Sequence, residues 1–433
     1  MKKSIPPALR LRLFFYNIVF PFVLVFMLPG LISRMIRRGQ YRRKFAQRFG
    51  RYDREVSARL AVKNWTWIHS ISVGETMLAL KLARKMKELD PSLNIVLSVT
   101  TSTGFAVAEK AAADWLEPVY NPLDAPVFVH RALRAIRPQR LIFIEAIWPN
   151  LLALAKEYGA SVSLIARLSP RSEVRFRHFR FFTAPMFAAL DFVCVQEIED
   201  VPRWHMLGVG FNNIYVTGSI KFDEAETAPA RTAEFRALLA QLGVKENAPV
   251  LLAGSTFPGE EKIIATVFRE LRRDFPELFL IIVPRHVERT DEAIADIIKA
   301  GVSFALRTAS VARHADCLVV NTTGELRDWY HLSTVVFIGK SLTSIGGQNP
   351  VEPVLAGKPV VFGPHMENFR AIVAQWLAQN AAIQVADAGA LKNALQRLLA
   401  DPFLREDLAR RAREIVAVHQ GATERTARLL LGF

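Results

Sequence analysis

Short runs of β-branched and other apolar residues alternate with amphipathic helical patterns along most of the chain, and no other feature constrains its fold as tightly. In the first half the candidate strands are residues 65–70, 94–100, 140–144, 161–165, 192–195 and 214–216. Between them, positions such as Leu78, Leu82, Met86 and Leu89 repeat at helical spacing. This alternation predicts a parallel sheet covered by helices. A second set follows the charged, Ala-rich stretch 223–247 and comprises residues 250–253, 278–283, 317–321, 334–338 and 359–362. A chain of 433 residues exceeds what one hydrophobic core usually supports. The expected α/β architecture is therefore two doubly wound, Rossmann-like domains joined near residue 225. Ligands in such folds bind beyond the carboxyl ends of the strands, which places the expected site in a cleft between the halves.

The N terminus is of a different kind. Residues 13–33 form an apolar segment about as long as a bilayer-crossing helix, interrupted by Asn17, Pro21 and Pro29. Directly after it comes a basic run without an intervening acid: Arg34, Arg37, Arg38, Arg42, Arg43, Lys44, Arg48 and Arg51. A membrane-anchoring segment, crossing the bilayer or lying on an anionic leaflet, is expected, with the rest of the chain on the cytoplasmic side. The formal charge of +15 would also suit nucleic acid. However, the basic run adjoins a lipid-seeking segment and no nucleic-acid-binding module is present, so no nucleic-acid partner is expected. Cys194 and Cys317 each sit among apolar strand residues and are expected to be buried small hydrophobes rather than a disulfide pair. No Cys/His spacing suits a structural zinc, and no metal or cofactor is expected.

Chemistry-bearing residues fall just after the predicted strands. Ser72-Val73-Gly74-Glu75 follows the first of them and opens a helical pattern. Gly74 is expected to allow a sharp bend, and the helix dipole favours an ionised Glu75. Such a carboxylate serves either as a general base or as a helix cap. In the second half, Gly254-Ser255-Thr256 precedes Glu260-Glu261 and a helix, an arrangement that can present amides to a phosphate. Pro284-Arg285-His286 offers a forked cation for phosphate or carboxylate, unless an acid such as Glu288 neutralises it. The loops containing Thr323-Gly324-Glu325 and Gly346-Gly347-Gln348-Asn349-Pro350-Val351-Glu352 combine glycine with carboxylates and an amide able to bind sugar hydroxyls. Neither a Walker P-loop nor a GxGxxG fingerprint occurs, which argues against ATP hydrolysis and dinucleotide redox chemistry.

Taken in order, Ser72–Glu75, Trp148-Pro149-Asn150, Ala166-Arg167-Leu168-Ser169, Thr217-Gly218-Ser219-Ile220-Lys221-Phe222-Asp223, Pro284-Arg285-His286, Thr323–Leu326, Gly346–Glu352 and Gly363-Pro364-His365 resemble the 3-deoxy-D-manno-octulosonic acid (Kdo) transferase family of bacterial inner-membrane enzymes. The resemblance runs from the apolar segment to about residue 395. It implies a metal-independent, inverting glycosyltransferase of the two-domain GT-B type, moving Kdo from CMP-Kdo to a lipid A precursor in lipopolysaccharide assembly. The implied division is residues 1–40 for membrane anchoring, 41–224 for the acceptor and 225–433 for CMP-Kdo.

By family position, Glu75 is the general base and Lys221 stabilises the transition state. Glu145 is a candidate second acid. The implied CMP-Kdo site comprises Ser255, Thr256, Pro284, Arg285, His286, Thr323, Gly324, Glu325, Gly347, Asn349, Pro350, Val351 and Glu352. A basic and aromatic patch comprising Arg167, Ser169, Arg171, Arg175 and Arg177, interleaved with Phe176, Phe179, Phe181 and Phe182, is expected to take the acceptor; the alternative is a solvated helix with core-facing aromatics. Where the family carries Glu-Thr-Glu-Leu-Trp-Pro-Asn, this chain has Ile144-Glu145-Ala146-Ile147-Trp148-Pro149-Asn150. One of the two acids is missing, so the alignment of Glu145 is open. Gln348 replaces a common histidine. The alternatives are another GT-B transferase using a UDP-sugar and a non-catalytic lipid-binding homologue.

Overall fold

The computed structural model describes residues 5–38, 44–62, 64–223, 231–309 and 314–433. Arg42 and Arg43 of the basic run, and the expected boundaries at 40/41 and 224/225, lie outside them. The chain divides into two compact units, residues 1–223 with 419–433, and residues 224–418.

Each unit is built on a seven-stranded sheet, parallel throughout. In the first, β1 (Trp65–Ser70), β2 (Asn94–Val99), β3 (Leu116–Tyr120), β4 (Pro138–Ile144), β5 (Ser161–Ile165), β6 (Phe192–Val195) and β7 (Ile214–Val216) are ordered β3-β2-β1-β4-β5-β6-β7. In the second, β8 (Val250–Thr256), β9 (Phe279–Pro284), β10 (Phe304–Leu306), β11 (Cys317–Val319), β12 (Val335–Ile338), β13 (Val360–Phe362) and β14 (Ile383–Gln384) are ordered β10-β11-β9-β8-β12-β13-β14. The order reverses between β1 and β4 in one sheet and between β8 and β12 in the other. At such switch points the flanking loops diverge and leave a crevice.

The strands form because helices cover both sheet faces, which favours continuous apolar runs over alternation. Trp67, Val96 and Phe143 pack on one side of the first sheet, and Ile68, Leu97 and Ile142 on the other. Leu251, Leu280 and Phe337 join a corresponding core in the second unit. Each large side chain fully buried in this way contributes about 1.5–3 kcal/mol. Cys194 and Cys317 are buried free thiols, one in each sheet.

The expected second domain extended to residue 433, but the chain returns at 419. Helix Ala422–Leu431 lies against helix Val73–Leu89 of the first unit, where Ala427 and Leu430 share a core with Leu80 and Ala83.

At the N terminus, helix Pro7–Arg38 docks along part of its length on the first unit. Leu9 and Leu13 are buried in that core. Asn17 and Asn150 exchange side-chain hydrogen bonds of 3.2 and 2.7 Å, while Arg12 stacks 4.3 Å over the Phe181 ring. Phe14, Phe15, Ile18, Val19, Phe22 and Phe26 are exposed. Among the described residues no helix is long and apolar enough to cross a membrane. Of the basic run, Arg48 packs 4.2 Å over the Tyr120 ring.

Candidate active site

In the first unit Glu75 and Glu145 flank the β1/β4 switch point, while Arg167 and Lys221 follow β5 and β7. Ser72 caps helix Val73–Leu89, and Glu75 lies in its first turn. The Glu75 carboxylate accepts from the Ile71 amide at 2.7 Å and from the Ser72 hydroxyl at 3.1 Å. Glu75 is thus a helix-start clamp in its own right. The expected bend at Gly74 is absent: this residue continues the helical turn without a positive φ, and a Cβ added there would meet nothing within 4 Å. The turn into the helix is made instead by the extended backbone of Ser72.

Burial holds the Glu75 carboxyl above its ordinary range, with the Glu145 charge acting in the same direction and the Ile71 and Ser72 bonds opposing. Glu145 follows β4 in a left-handed conformation, φ 61°, that a non-glycine residue adopts only at a cost. Arg167, just past β5, approaches its carboxylate to 3.9 Å. Lys221 feels both Glu145 and Arg167. Its ammonium is lowered to about 8, first by loss of surrounding water and then by Arg167, with Glu145 opposing. The residue as a whole remains exposed, so crowding around the ammonium rather than full enclosure produces the shift. Glu75, Glu145, Arg167 and Lys221 therefore form one electrostatic group although they are scattered over residues 75 to 221.

Trp148-Pro149-Asn150 is the frame behind this group. The Trp148 indole donates to Nε2 of His69 at 2.8 Å. His69 is buried, and burial lowers its pKa to about 3, so the ring is neutral with its proton on Nδ1, donating to Ser98 Oγ at 2.9 Å. Pro149 opens helix Pro149–Glu157, whose Asn150 and Leu151 amides bond the Asp124 carboxylate at 3.0 and 2.9 Å. Tyr16 of the N-terminal helix also bonds Asp124. Asn17, an interruption in a lipid-seeking sequence, is therefore one of the polar residues by which that helix grips the frame.

The expected acceptor patch is divided. Ser169 caps helix Pro170–His178, its hydroxyl accepting from the Ser172 amide. Arg177 pairs with Glu173 at 2.7 Å, and Arg175 lies over the Phe176 ring. Phe176 and Phe182 pack on the core, whereas Arg171, Arg175, Phe179 and Phe181 are exposed. Phe176 and Phe182 thus match the core-facing alternative, while the exposed arginines and phenylalanines leave a basic and aromatic surface.

The second unit places its candidates at the β8/β12 switch point and neighbouring strand ends. Ser255 is left-handed, φ 56°. Thr256 is fully buried and donates to Glu261 at 2.8 Å, and Glu261 in turn pairs with Arg289 at 3.0 Å. Glu260 accepts from the amides of Phe257, Lys340, Ser341 and Leu342 at 2.8–3.0 Å. Glu260 thus ties the loops after β8 and β12 together, and Glu261 ties the end of β8 to the segment after β9. The loops after β8 and β12 stack so closely that a Cβ on Gly339 would lie 2.2 Å from the Ser255 carbonyl oxygen.

Pro284 ends β9 and is buried; Arg285 and His286 beyond it are exposed. Thr323 and Gly324 are also exposed, but Glu325 is held by Arg307 through two bonds of 3.0 and 3.1 Å. Gly347 adopts φ 70° close against Met366. Pro350 and buried Val351 start a short helix in which Glu352 accepts from Asn349 at 2.8 Å. Burial raises the Glu352 carboxyl, while Asn349, Arg327 and Arg285 oppose. Arg327 and Lys340 are cations the sequence expectation omitted. Both lie in or just after the segments that follow β11 and β12, as Arg285 follows β9. Among the described residues no cluster of His, Cys, Asp or Glu suits a metal ion.

Two Rossmann-like units, each on a parallel sheet, resemble GT-B glycosyltransferases in fold; that the chain is a glycosyltransferase follows from its sequence relatives. The fold alone is shared with a solved UDP-GlcNAc 2-epimerase from Neisseria meningitidis bound to UDP-GlcNAc, which covers 85% of this chain and 100% of that one at 12% identity and TM-score 0.55. Residues 43–224 match the family model described as 3-deoxy-D-manno-octulosonic-acid transferase. A 3-deoxy-D-manno-octulosonic acid transferase of Bordetella pertussis is 33% identical over 90% of this chain and 91% of its own length. One from Haemophilus influenzae is 31% identical over 96% and 97%. The chain belongs to the Kdo transferase family.

Proposed function

We propose that this enzyme transfers Kdo from CMP-Kdo to a lipid A precursor with inversion at the anomeric carbon, at the cytoplasmic face of the bacterial inner membrane. The observation that carries the mechanism is the Glu75 carboxylate, anchored at a helix start and made more basic by burial and by Glu145. Each carboxylate oxygen keeps a lone pair beyond its internal bond, so Glu75 can accept the acceptor sugar's hydroxyl proton as that oxygen attacks. Negative charge then gathers on the departing CMP phosphate, which needs little protonation. Lys221 and Arg167, which both feel the Glu145 charge, supply preorganised positive charge, and Arg285 with Asn349 and Glu352 binds CMP. One base therefore suffices, unlike the paired carboxyls of glycosidases.

Membrane contact is supported by the exposed Phe14, Phe15, Phe22 and Phe26 of the N-terminal helix and by Phe179 and Phe181 beside Arg171 and Arg175. Such an amphipathic surface suits a helix lying in the interface with lipid A phosphates held by arginines. Thermal-shift titration tests the donor class. CMP is expected to raise the melting temperature at concentrations where UDP does not; stabilisation by UDP alone would instead favour a UDP-sugar transferase.

A further inference from the structure

Lys221 lies in a turn that is gripped from two directions. From the C-terminal side, His419 Nδ1 accepts from the Ser219 amide at 3.3 Å, and Gln420 donates to the Phe222 carbonyl at 3.2 Å. The two oxygens of Asp223 accept from the amides of Gly421 and Thr423 at 2.8 and 2.6 Å, and Arg425 Nε donates to the Thr217 carbonyl at 3.2 Å. From the other side Lys81, on the helix Val73–Leu89 that carries Glu75, donates to the Ile220 carbonyl at 3.0 Å.

Every residue from Thr217 to Asp223 except Gly218 and Lys221 is buried. Lys221 alone turns an exposed side chain outward from an immobilised turn. The helix Ala422–Leu431 that supplies the C-terminal grip also packs on the Glu75 helix. The same element thus touches both the turn that carries Lys221 and the helix that carries Glu75.

We propose that Asp223 is a positioning residue for Lys221, clamping the return segment 419–425 so that the lysine keeps its place relative to Glu75. This rests on the catalytic reading of Lys221 given above. A displacement of about 1 Å in such a group is enough to slow chemistry without weakening binding.

The test is a double-mutant cycle on the full-length enzyme with CMP-Kdo and a lipid A precursor, using Asp223→Asn, which keeps one amide acceptor, alongside Asp223→Ala. Asp223→Asn is expected to lower kcat about tenfold with KM for CMP-Kdo changed by less than about twofold. In a Lys221→Ala background it is expected to cause no further loss, because its effect passes through the lysine. An independent readout is the pH dependence of Lys221 acylation, followed by mass spectrometry. Its midpoint is expected to move from about 8 toward the ordinary lysine value in Asp223→Asn. If Asp223→Asn works at the wild-type rate, or slows both backgrounds by the same factor, the positioning role is wrong while the lysine's role stands. If Lys221→Ala itself keeps the wild-type kcat, the catalytic reading of the lysine falls and the positioning role falls with it.

Discussion

Trp148 donates its indole proton to His69 at 2.8 Å, joining the loop that carries Glu145 to the strand that ends just before Glu75. Trp67 donates to Ser98 at 2.7 Å, and Ser98 accepts from His69, so the chain of bonds is closed inside the sheet. Trp148→Phe leaves the buried His69 Nε2 without a donor. We expect a loss of about 1–3 kcal/mol in chemical denaturation. A fall in kcat of about tenfold should accompany it, with KM for CMP-Kdo little changed. Unchanged stability and rate would mean that the frame does not support the site.

The pH profile follows from two opposed shifts. Glu75 must be ionised to act as base, and its pKa is raised, so the acid limb of kcat/KM should lie above the ordinary glutamate range. Lys221 must be protonated, and activity should fall as pH rises through about 8. Lys221→Arg should move the basic limb upward and leave the acid limb in place. Steady-state rates across pH 5–10 check both statements.

Much of this arrangement is visible in the sequence, and its gaps have physical causes. The central strands announce themselves because burial on both faces requires continuous apolar runs. The three strands that sequence patterning misses, β3, β10 and β14, are all sheet edges. β3 carries Glu117, which pairs with Arg59 at 2.6 Å, and Pro118, while β14 has only two residues. Glu75 and Lys221 are legible through their motifs. The left-handed backbone at Glu145 is not, since no local pattern encodes it. Asn17 looks like a flaw in an apolar segment because its partner Asn150 is far away in sequence. Glu260 and Glu261 look like helix-start acids, and only the fold reveals that the first bonds backbone amides as distant as Leu342.

Glu260 gathers four amides at the β8/β12 switch point. Glu260→Ala strands these partly or fully buried donors and should destabilise the protein by about 3–5 kcal/mol. Hydrogen exchange should accelerate at Lys340, Ser341 and Leu342 before other parts of the second sheet. Protection equal to wild type at those amides would show that the clamp is dispensable.

Phe22 and Phe26 of the N-terminal helix are 74% and 89% exposed. Phe22→Ser/Phe26→Ser should reduce binding to vesicles containing anionic phospholipid by about tenfold or more, with the melting temperature almost unchanged. Flotation of the variant with vesicles to the same extent as wild type would remove this helix from the membrane contact.

The most direct test of Glu75 is transfer itself. Purified enzyme is incubated with CMP-Kdo and a tetraacyl lipid A precursor, and mass spectrometry follows the mass added over time for wild type and Glu75→Gln. Wild type should add Kdo, and Glu75→Gln should be slower by about 10²–10⁴-fold because the amide cannot take the proton. Transfer by Glu75→Gln at the wild-type rate would contradict the general-base mechanism.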